Sequence, residues 1–257
     1  MKTAIITQAR MGSSRLPAKI LKTCAGKPLL DYHIARLQKA QMPIYLATPT
    51  AEQDDVLEQY AIAHQLPCYR GSENDVLARF YECATQYGIE VVVRVTSDCP
   101  LIDGALLQQM VADFVALQDK KAYLSNGMVR TFPRGFDMEV FHYEALQTAY
   151  QNAQTASQRE HVTPYIYQNP QLFKLHHFTQ RTDKSNYRIT LDTPEDYELI
   201  RILIEDYAAD QLNHSEITQI LDEHLELVAI NAAIEQKKVW KMRKLVVLRF
   251  IYCVVKK

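Results

Sequence analysis

Six residues near the start of the chain combine types and spacing that suit phosphate chemistry: Arg10, Gly12, Ser13, Ser14, Arg15 and Lys19. A glycine lets backbone come close to an anion, and the serines add hydroxyl and amide donors. The three cations can neutralise a polyphosphate from different sides, arginine as a planar fork and lysine as a point charge. The segment reads as a phosphate cradle, but it is not a P-loop, because no Gly-Lys-Ser or Gly-Lys-Thr follows a second glycine. A solvated basic loop is the plain alternative. The short apolar run Thr3–Thr7 directly before it favours a site, since the C-terminal end of a first strand is where open α/β sheets bind ligands.

Two carboxylates suit the same site. The run Glu90–Thr96 is followed by Ser97, Asp98, Cys99 and Pro100, which places Asp98 at a strand end. A hard divalent cation such as Mg²⁺ takes one or two carboxylates and then phosphate oxygens, so an acid aimed into a phosphate site is sufficient. Asp103 reads instead as the cap of the next helix. The second acid is Asp192, at the end of Tyr187–Leu191, where Thr193 is the expected helix cap and leaves the Asp192 side chain to face the site. Asp98 and Asp192 together form the expected metal pair.

These groups need elements to hold them. Apolar runs read as strands at 3–7, 44–48 and 90–96, with weaker ones near 67–69, 121–125, 136–141, 173–178 and 187–191. Helical periodicity fits 28–40, 52–64, 74–87, 103–118, 143–153, 194–208 and 215–224, with Pro28 in the first turn of the helix at 28–40. Strands alternating with helices over the first 120 residues imply an α/β protein with a mostly parallel, Rossmann-like sheet and helices on both faces. From about residue 121 the alternation loosens, as expected for an inserted β extension over the substrate site.

Composition sets further bounds. A chain of 257 residues is long enough for one sizeable core, and a net charge of −1 argues against a nucleic-acid partner. The five cysteines are scattered without a CxxC pair, which suits reduced thiols in the cytoplasm rather than a zinc site. No secretory leader or membrane-spanning run is legible. Residues 237–257 carry eight Lys or Arg and no acid, interleaved with bulky apolar residues. The expected division is therefore a catalytic domain at 1–236 and a basic amphipathic tail at 237–257. That tail suits peripheral contact with an anionic membrane, with packing on the body or a dimer contact as alternatives.

Six ordered stretches carry a resemblance: QARMGSSRLPAKIL (8–21), RGSENDVLARFY (70–81), VVRVTSDCPLID (92–103), PRGFDMEVF (133–141), REHVTPYIY (159–167) and RITLDTPEDYELI (188–200). They are similar to the cytidylyltransferase family, especially its branch of spore-coat polysaccharide biosynthesis protein F, with acylneuraminate and 3-deoxy-octulosonate cytidylyltransferases as relatives. The resemblance implies a GT-A-like nucleotidyltransferase fold. It also implies a reaction in which CTP and an acidic, nonulosonic-type sugar give a CMP-sugar and pyrophosphate, with Mg²⁺ as cofactor, for surface polysaccharide or glycoconjugate. Carried over by position, Arg10, Gly12, Ser13, Ser14, Arg15 and Lys19 hold the triphosphate. Arg10 and Lys19 stabilise the leaving pyrophosphate, and Asp98 and Asp192 coordinate the metal. Arg70 and Arg79 border the nucleotide, although Arg79 sits on a helical pattern where a surface ion pair is the alternative. Arg134, Glu139, Arg159 and His161 fall where the fold receives the sugar. Relatives of this kind tend to be homodimers.

One departure concerns the first motif, which has Ala18 where relatives often carry glycine, so a loop that needs a positive φ there is strained. Other activities would use similar pieces: a nucleotidyltransferase with another NTP or a sugar phosphate, a GT-A glycosyltransferase, or a non-catalytic nucleotide-binding protein docked at a membrane. The glycosyltransferase Asp-x-Asp signature is missing, because the third strand ends in Ser97-Asp98-Cys99-Pro100.

Overall fold

The computed structural model describes residues 1–235. The basic tail lies outside them, and with it the expected membrane contact and the tail half of the domain division. In chain order, β1 (Thr3–Gln8) runs into the cradle loop and a 3₁₀ turn at Lys19–Leu21, followed by a small hairpin of β2 (Thr23–Cys24) and β3 (Lys27–Pro28). Then come α1 (Leu29–Gln38), β4 (Ile44–Pro49), α2 (Asp55–Ala63), β5 (Cys68–Gly71), α3 (Val76–Gln86), β6 (Val91–Thr96) and α4 (Gly104–Ala116). The second half adds β7 (Ala122–Ser125), β8 (Glu139–His142), α5 (Tyr143–Asn152), α6 (Ala156–His161), α7 (Pro164–Gln168) and β9 (Lys174–His177). It closes with α8 (Pro194–Glu205), α9 (His214–Glu223) and α10 (Leu225–Ala229).

Seven strands form one sheet in the order β5-β4-β1-β6-β8-β7-β9. β5, β4, β1 and β6 run parallel to one another, and β8 runs antiparallel to both β6 and β7. The extension expected after residue 121 therefore continues the sheet beyond β6. Both faces are covered, which is why β1, β4 and β6 read as continuous apolar runs. Ile5 and Val93 pack on one face with Leu30, Leu107, Leu203 and Ile217 from α1, α4, α8 and α9. Ile6 and Val92 pack on the other with Leu77, Leu146 and Ile166 from α3, α5 and α7.

Several local expectations are met in detail. Asp103 caps α4 by accepting from the Ala105 and Leu106 amides at 2.9 and 3.1 Å. Gly104 follows because a Cβ there would lie 2.4 Å from the Arg36 carbonyl, so only glycine lets α4 meet the end of α1. Pro28 differs from its expected place: it precedes α1 with φ −57° and ψ 146° and pairs with Thr23 in the hairpin. The run 187–191 is not a strand: it carries a single β-bridge, Arg134–Arg188, and its Leu191 amide donates to the Asp98 carbonyl at 2.8 Å.

Candidate active site

The cradle leaves β1 at the C-terminal end of the parallel strands. Its backbone is held from behind, where the Met11 amide donates to Asp54 Oδ1 at 2.7 Å. The Ala18 amide meets the Met11 carbonyl at 3.3 Å, closing the loop on itself. Ala18 adopts φ 52° and ψ 28°, so the loop does require the left-handed conformation that glycine would supply freely. That turn starts the short 3₁₀ segment and aims Lys19 inwards.

Lys19 brings the two expected carboxylates together. Its Nζ donates to Asp192 Oδ1 at 2.7 Å and to Asp98 Oδ2 at 3.2 Å. Burial acts to lower the Lys19 pKa, but Asp98 and Asp192 outweigh it and hold the ammonium above its ordinary value. Burial likewise acts to raise Asp98, and Lys19 with the Thr96 hydroxyl (2.5 Å) overcomes it, leaving this carboxyl at about 2. Asp192 also meets Arg15 at 3.0 Å and Arg188 at 3.0 Å. Arg10 is exposed at the rim and has no ion pair among the described residues. Ser13 is half-buried and Ser14 exposed in the same loop.

Two supports were not legible as functional residues. The first is Asp196, fully buried in the first turn of α8. Its carboxylate accepts from Arg188 Nε and Nη2 (2.8 and 2.9 Å), the Asp192 and Thr193 amides (3.0 and 3.1 Å) and Asn231 Nδ2 (2.8 Å). It fixes the segment that presents Asp192. The sequence signal was the Thr193–Asp196 capping box, which predicts the helix start but not the buried arginine. The second is His33, buried between β1 and the Asp98 turn. Its Nδ1 meets the Cys99 carbonyl at 2.9 Å, so that nitrogen carries the proton and Nε2 accepts from the Thr7 hydroxyl at 2.8 Å. Burial pushes this imidazole down to about 4.

Beside Asp98 and Asp192 opens a cleft of about 860 Å³ over the ends of β6, β7 and β8. Arg134, Glu139 and His161 line it, as expected of acceptor residues. Glu139 is fully engaged: it accepts from Arg94 and Tyr123 and from the Thr163 hydroxyl at 2.7 Å. Arg130, another cleft residue, is paired with Asp137. Arg134 has no carboxylate partner among the described residues, and burial, with Arg130 nearby, lowers its pKa. Its loop turns at Gly135, where φ is 109° and a Cβ would lie 2.7 Å from the Ile189 carbonyl. Burial, opposed by Glu160 and reinforced by Arg94 and Arg10, keeps His161 below its ordinary value.

His161 and Thr163 reach the cleft through a strained corner that periodicity does not reveal. Val162 has φ 71° and ψ −58°, and the Thr163 amide bonds back to the His161 carbonyl at 2.9 Å. Such a three-residue turn is unfavourable for a β-branched residue, and burial of the Val162 side chain holds it in place.

Two expected contacts sit elsewhere. Arg70 is committed to Glu58 (2.8 Å), Asp55 (2.6 Å) and the Pro49 and Ala51 carbonyls, where it ties β5 to the start of α2. Arg159 donates twice to the Ala153 carbonyl, meets Asp75 at 3.3 Å and covers Tyr150, outside the cleft. Arg79 is not exposed but buried in the first turn of α3 against Gly71 at the end of β5, with no ion pair among the described residues.

No group of three or more His, Cys, Asp or Glu gathers to hold a metal among the described residues. The arrangement is a two-carboxylate one. Asp98 and Asp192 already converge on one cation, the Lys19 ammonium, and their oxygens are the donors Mg²⁺ prefers, with phosphate oxygens completing its shell. The residues fit the ion. No described helix is long and apolar enough to cross a membrane.

Comparison with known proteins gives the same direction. The cytidylyltransferase family model matches residues 4–239. The spore coat polysaccharide biosynthesis protein SpsF of Bacillus subtilis is 32% identical over 212 residues, covering 78% of this chain and 85% of that one. A 3-deoxy-manno-octulosonate cytidylyltransferase of Hydrogenovibrio crunogenus is 31% identical over 119 residues, covering 45% and 48%. A solved cytidylyltransferase from Leptospira borgpetersenii superposes with a TM-score of 0.86 at 34% identity, covering 92% of this chain and all of that one.

Proposed function

The chain belongs to the cytidylyltransferase family, and we propose that it transfers CMP from CTP to an acidic, nonulosonic-type sugar, releasing pyrophosphate, for surface polysaccharide or glycoconjugate. The observation that carries this reading is the placement of the Lys19–Asp98–Asp192 cluster between the cradle and a cleft whose uncommitted cation is Arg134.

In this scheme a sugar hydroxyl oxygen attacks the α-phosphorus of CTP, and the bond to the pyrophosphate oxygen breaks. The chain supplies position and charge rather than a nucleophile. Ser13 and Ser14 and the backbone around Gly12 cradle the triphosphate. Arg10, Arg15 and Lys19 neutralise it, and Arg10 and Lys19 stabilise the departing pyrophosphate. Asp98 and Asp192 would hold Mg²⁺, which when bound neutralises phosphate charge. Asp98 is suited to this because it stays ionised far below neutral pH.

Charge in the cleft supports an acidic acceptor. Arg94 and Arg130 are matched by Glu139 and Asp137, which leaves Arg134 to receive an anion such as a sugar carboxylate. The test is pyrophosphate release with each of CTP, UTP, GTP and ATP against 3-deoxy-manno-octulosonate, N-acetylneuraminate and neutral hexose phosphates. Release with CTP and an acidic sugar is expected. Release confined to another nucleotide or to hexose phosphates rejects the reading.

A further inference from the structure

The loop around Arg134 belongs to no helix or strand, so other contacts must fix it in the cleft. Two phenylalanines flank the arginine, Phe132 and Phe136, at 2% and 0% exposure. How these rings pack therefore decides where the arginine stands. Both meet one side chain, His214, the first residue of α9. The imidazole centroid lies 5.6 Å from that of Phe132 and 6.1 Å from that of Phe136, in edge-to-face arrangements at 61° and 79°. Contacts of this kind fix orientation as well as separation.

His214 is held from its other side by Asp103. Its Nδ1 and its backbone amide meet Asp103 Oδ2 at 3.0 and 2.7 Å, so Nδ1 carries a proton. The other oxygen of that carboxylate caps α4. One buried acid thus serves the N-termini of two helices, which favours its ionised form. Burial acts to raise Asp103, and His214 with the amides overcomes it, keeping this carboxyl well below the usual range. Asp103 also ends the turn that begins at Asp98, where the Cys99 amide donates to the Thr96 carbonyl at 3.2 Å and the Ile102 amide to the Cys99 carbonyl at 3.1 Å. The turn that presents Asp98 and the loop that presents Arg134 lean on the same imidazole.

We infer that His214 is a positioning residue for the acceptor: clasped to Asp103, it sets where Arg134 stands relative to Asp98, and so how the acceptor hydroxyl meets the α-phosphorus. This role rests on the reading of Arg134 as the contact to the acceptor's carboxylate. The clasp is one of two holds on the loop. On the far side the Arg134 amide donates to the Tyr187 carbonyl at 3.0 Å, and its carbonyl accepts from the Ile189 amide at 2.7 Å. Those bonds keep the backbone in place when the imidazole is lost, while Phe132 and Phe136 are free to settle into its space. The arginine then shifts without the loop unfolding. A shift on the order of an ångström is enough to spoil the meeting of two reacting groups.

The test is steady-state pyrophosphate release by the full chain, with CTP and Mg²⁺ saturating and 3-deoxy-manno-octulosonate or N-acetylneuraminate varied. Wild type is compared with His214→Ala, Arg134→Gln and the double variant. Arg134→Gln should raise the acceptor KM by about tenfold, and His214→Ala by about threefold to tenfold. Because His214 acts through Arg134, the double variant should stay within about twofold of Arg134→Gln alone. The rise in melting temperature with CTP and Mg²⁺ should be the same in all four proteins. A wild-type acceptor KM in His214→Ala, a lost CTP response in that variant, or a double variant in which the two effects multiply overturns the inference and leaves His214 as a clasp between α4 and α9. Should His214→Ala not fold, Phe132→Leu removes one edge contact from the other side. It must then raise the acceptor KM without adding to Arg134→Gln, and either failure overturns the inference. An unchanged acceptor KM in Arg134→Gln, or no release by wild type with either sugar, overturns the parent reading as well.

Discussion

The parallel strands β5-β4-β1-β6 and the antiparallel extension β8-β7 both meet the site, but they equip it in opposite ways. On the parallel side the chemistry sits in turns after the strands, at Arg10, Lys19, Asp54 and Asp98, and several of these groups are exposed or unsatisfied. On the antiparallel side it sits within strands and their flanking loops, and the charges are already matched: Glu139 by Arg94, and Asp137 by Arg130. A strand buried on both faces has no polar side chain to offer, so function there moves to the loop. A strand of the antiparallel extension can point polar residues into a cleft, provided they satisfy one another. The proposed function thus assigns the polyphosphate to the parallel half and the small charged acceptor to the extension.

The contrast can be broken most severely at its seam. Asp196→Ala would remove two hydrogen bonds from the buried Arg188 guanidinium and two from the amides that present Asp192, with an expected loss of about 3–5 kcal/mol in urea unfolding. A loss under 1 kcal/mol would mean that the hub does not bind the two halves together. His33 gives the next largest effect, and it is confined to the parallel half. Its folded pKa of about 4 lies below the unfolded value near 6.5, so the unfolded chain takes up the proton first. Stability therefore falls as pH drops from about 6.5 to 4, by up to about 3 kcal/mol, and this contribution is flat outside that window. His33→Gln should flatten the melting temperature against pH over the same range, and an unchanged slope would assign the acid sensitivity elsewhere.

Lys19→Ala should lower turnover by about a hundredfold with the fold retained, which is the usual scale for one charge-stabilising group. Arg134→Gln, across the cleft, should instead raise the acceptor KM by about tenfold and leave the CTP-induced rise in melting temperature unchanged. If both variants shift nucleotide and acceptor terms together, the division of labour between the halves is false. The smallest effect belongs to Ala18→Gly. Relief of the left-handed backbone outweighs the added freedom of the unfolded chain, for an expected gain of about 0.5–1 kcal/mol in urea unfolding. A loss would show that the loop is not strained.

Legibility followed the same boundary. The Asp98 turn, the Thr193 cap and the strands expected at 3–7, 44–48 and 90–96 are local patterns, and the strands are found at Thr3–Gln8, Ile44–Pro49 and Val91–Thr96. Their partners are not local. Asn231 reaches Asp196, and Asp54 reaches the cradle, through contacts that no periodicity encodes. The helices at Ala156–His161 and Pro164–Gln168 are too short to display a period, and the Val162 corner between them breaks what little there is. Arg70 and Arg159 show why a basic residue beside a motif is ambiguous in sequence. Backbone carbonyls compete for the same guanidinium, from a neighbouring strand end for Arg70 and from the preceding turn for Arg159. Residues 187–191 have the composition of a strand, yet their polar backbone is satisfied by Arg134 and Asp98 instead of a ladder.

The bond from Lys19 to Asp192 joins residues 173 positions apart, and the hub beneath it waits for Asn231. At roughly 5–20 residues per second of synthesis, the cradle exists on the order of ten seconds or more before the last of these residues is made. During that interval Lys19 has only Asp98, which is made earlier, and Arg15 still lacks Asp192. A polypeptide cut short before Asp192 therefore displays a basic loop neutralised only in part, through Asp98. The charge balance of this loop thus records whether synthesis has reached Asp192.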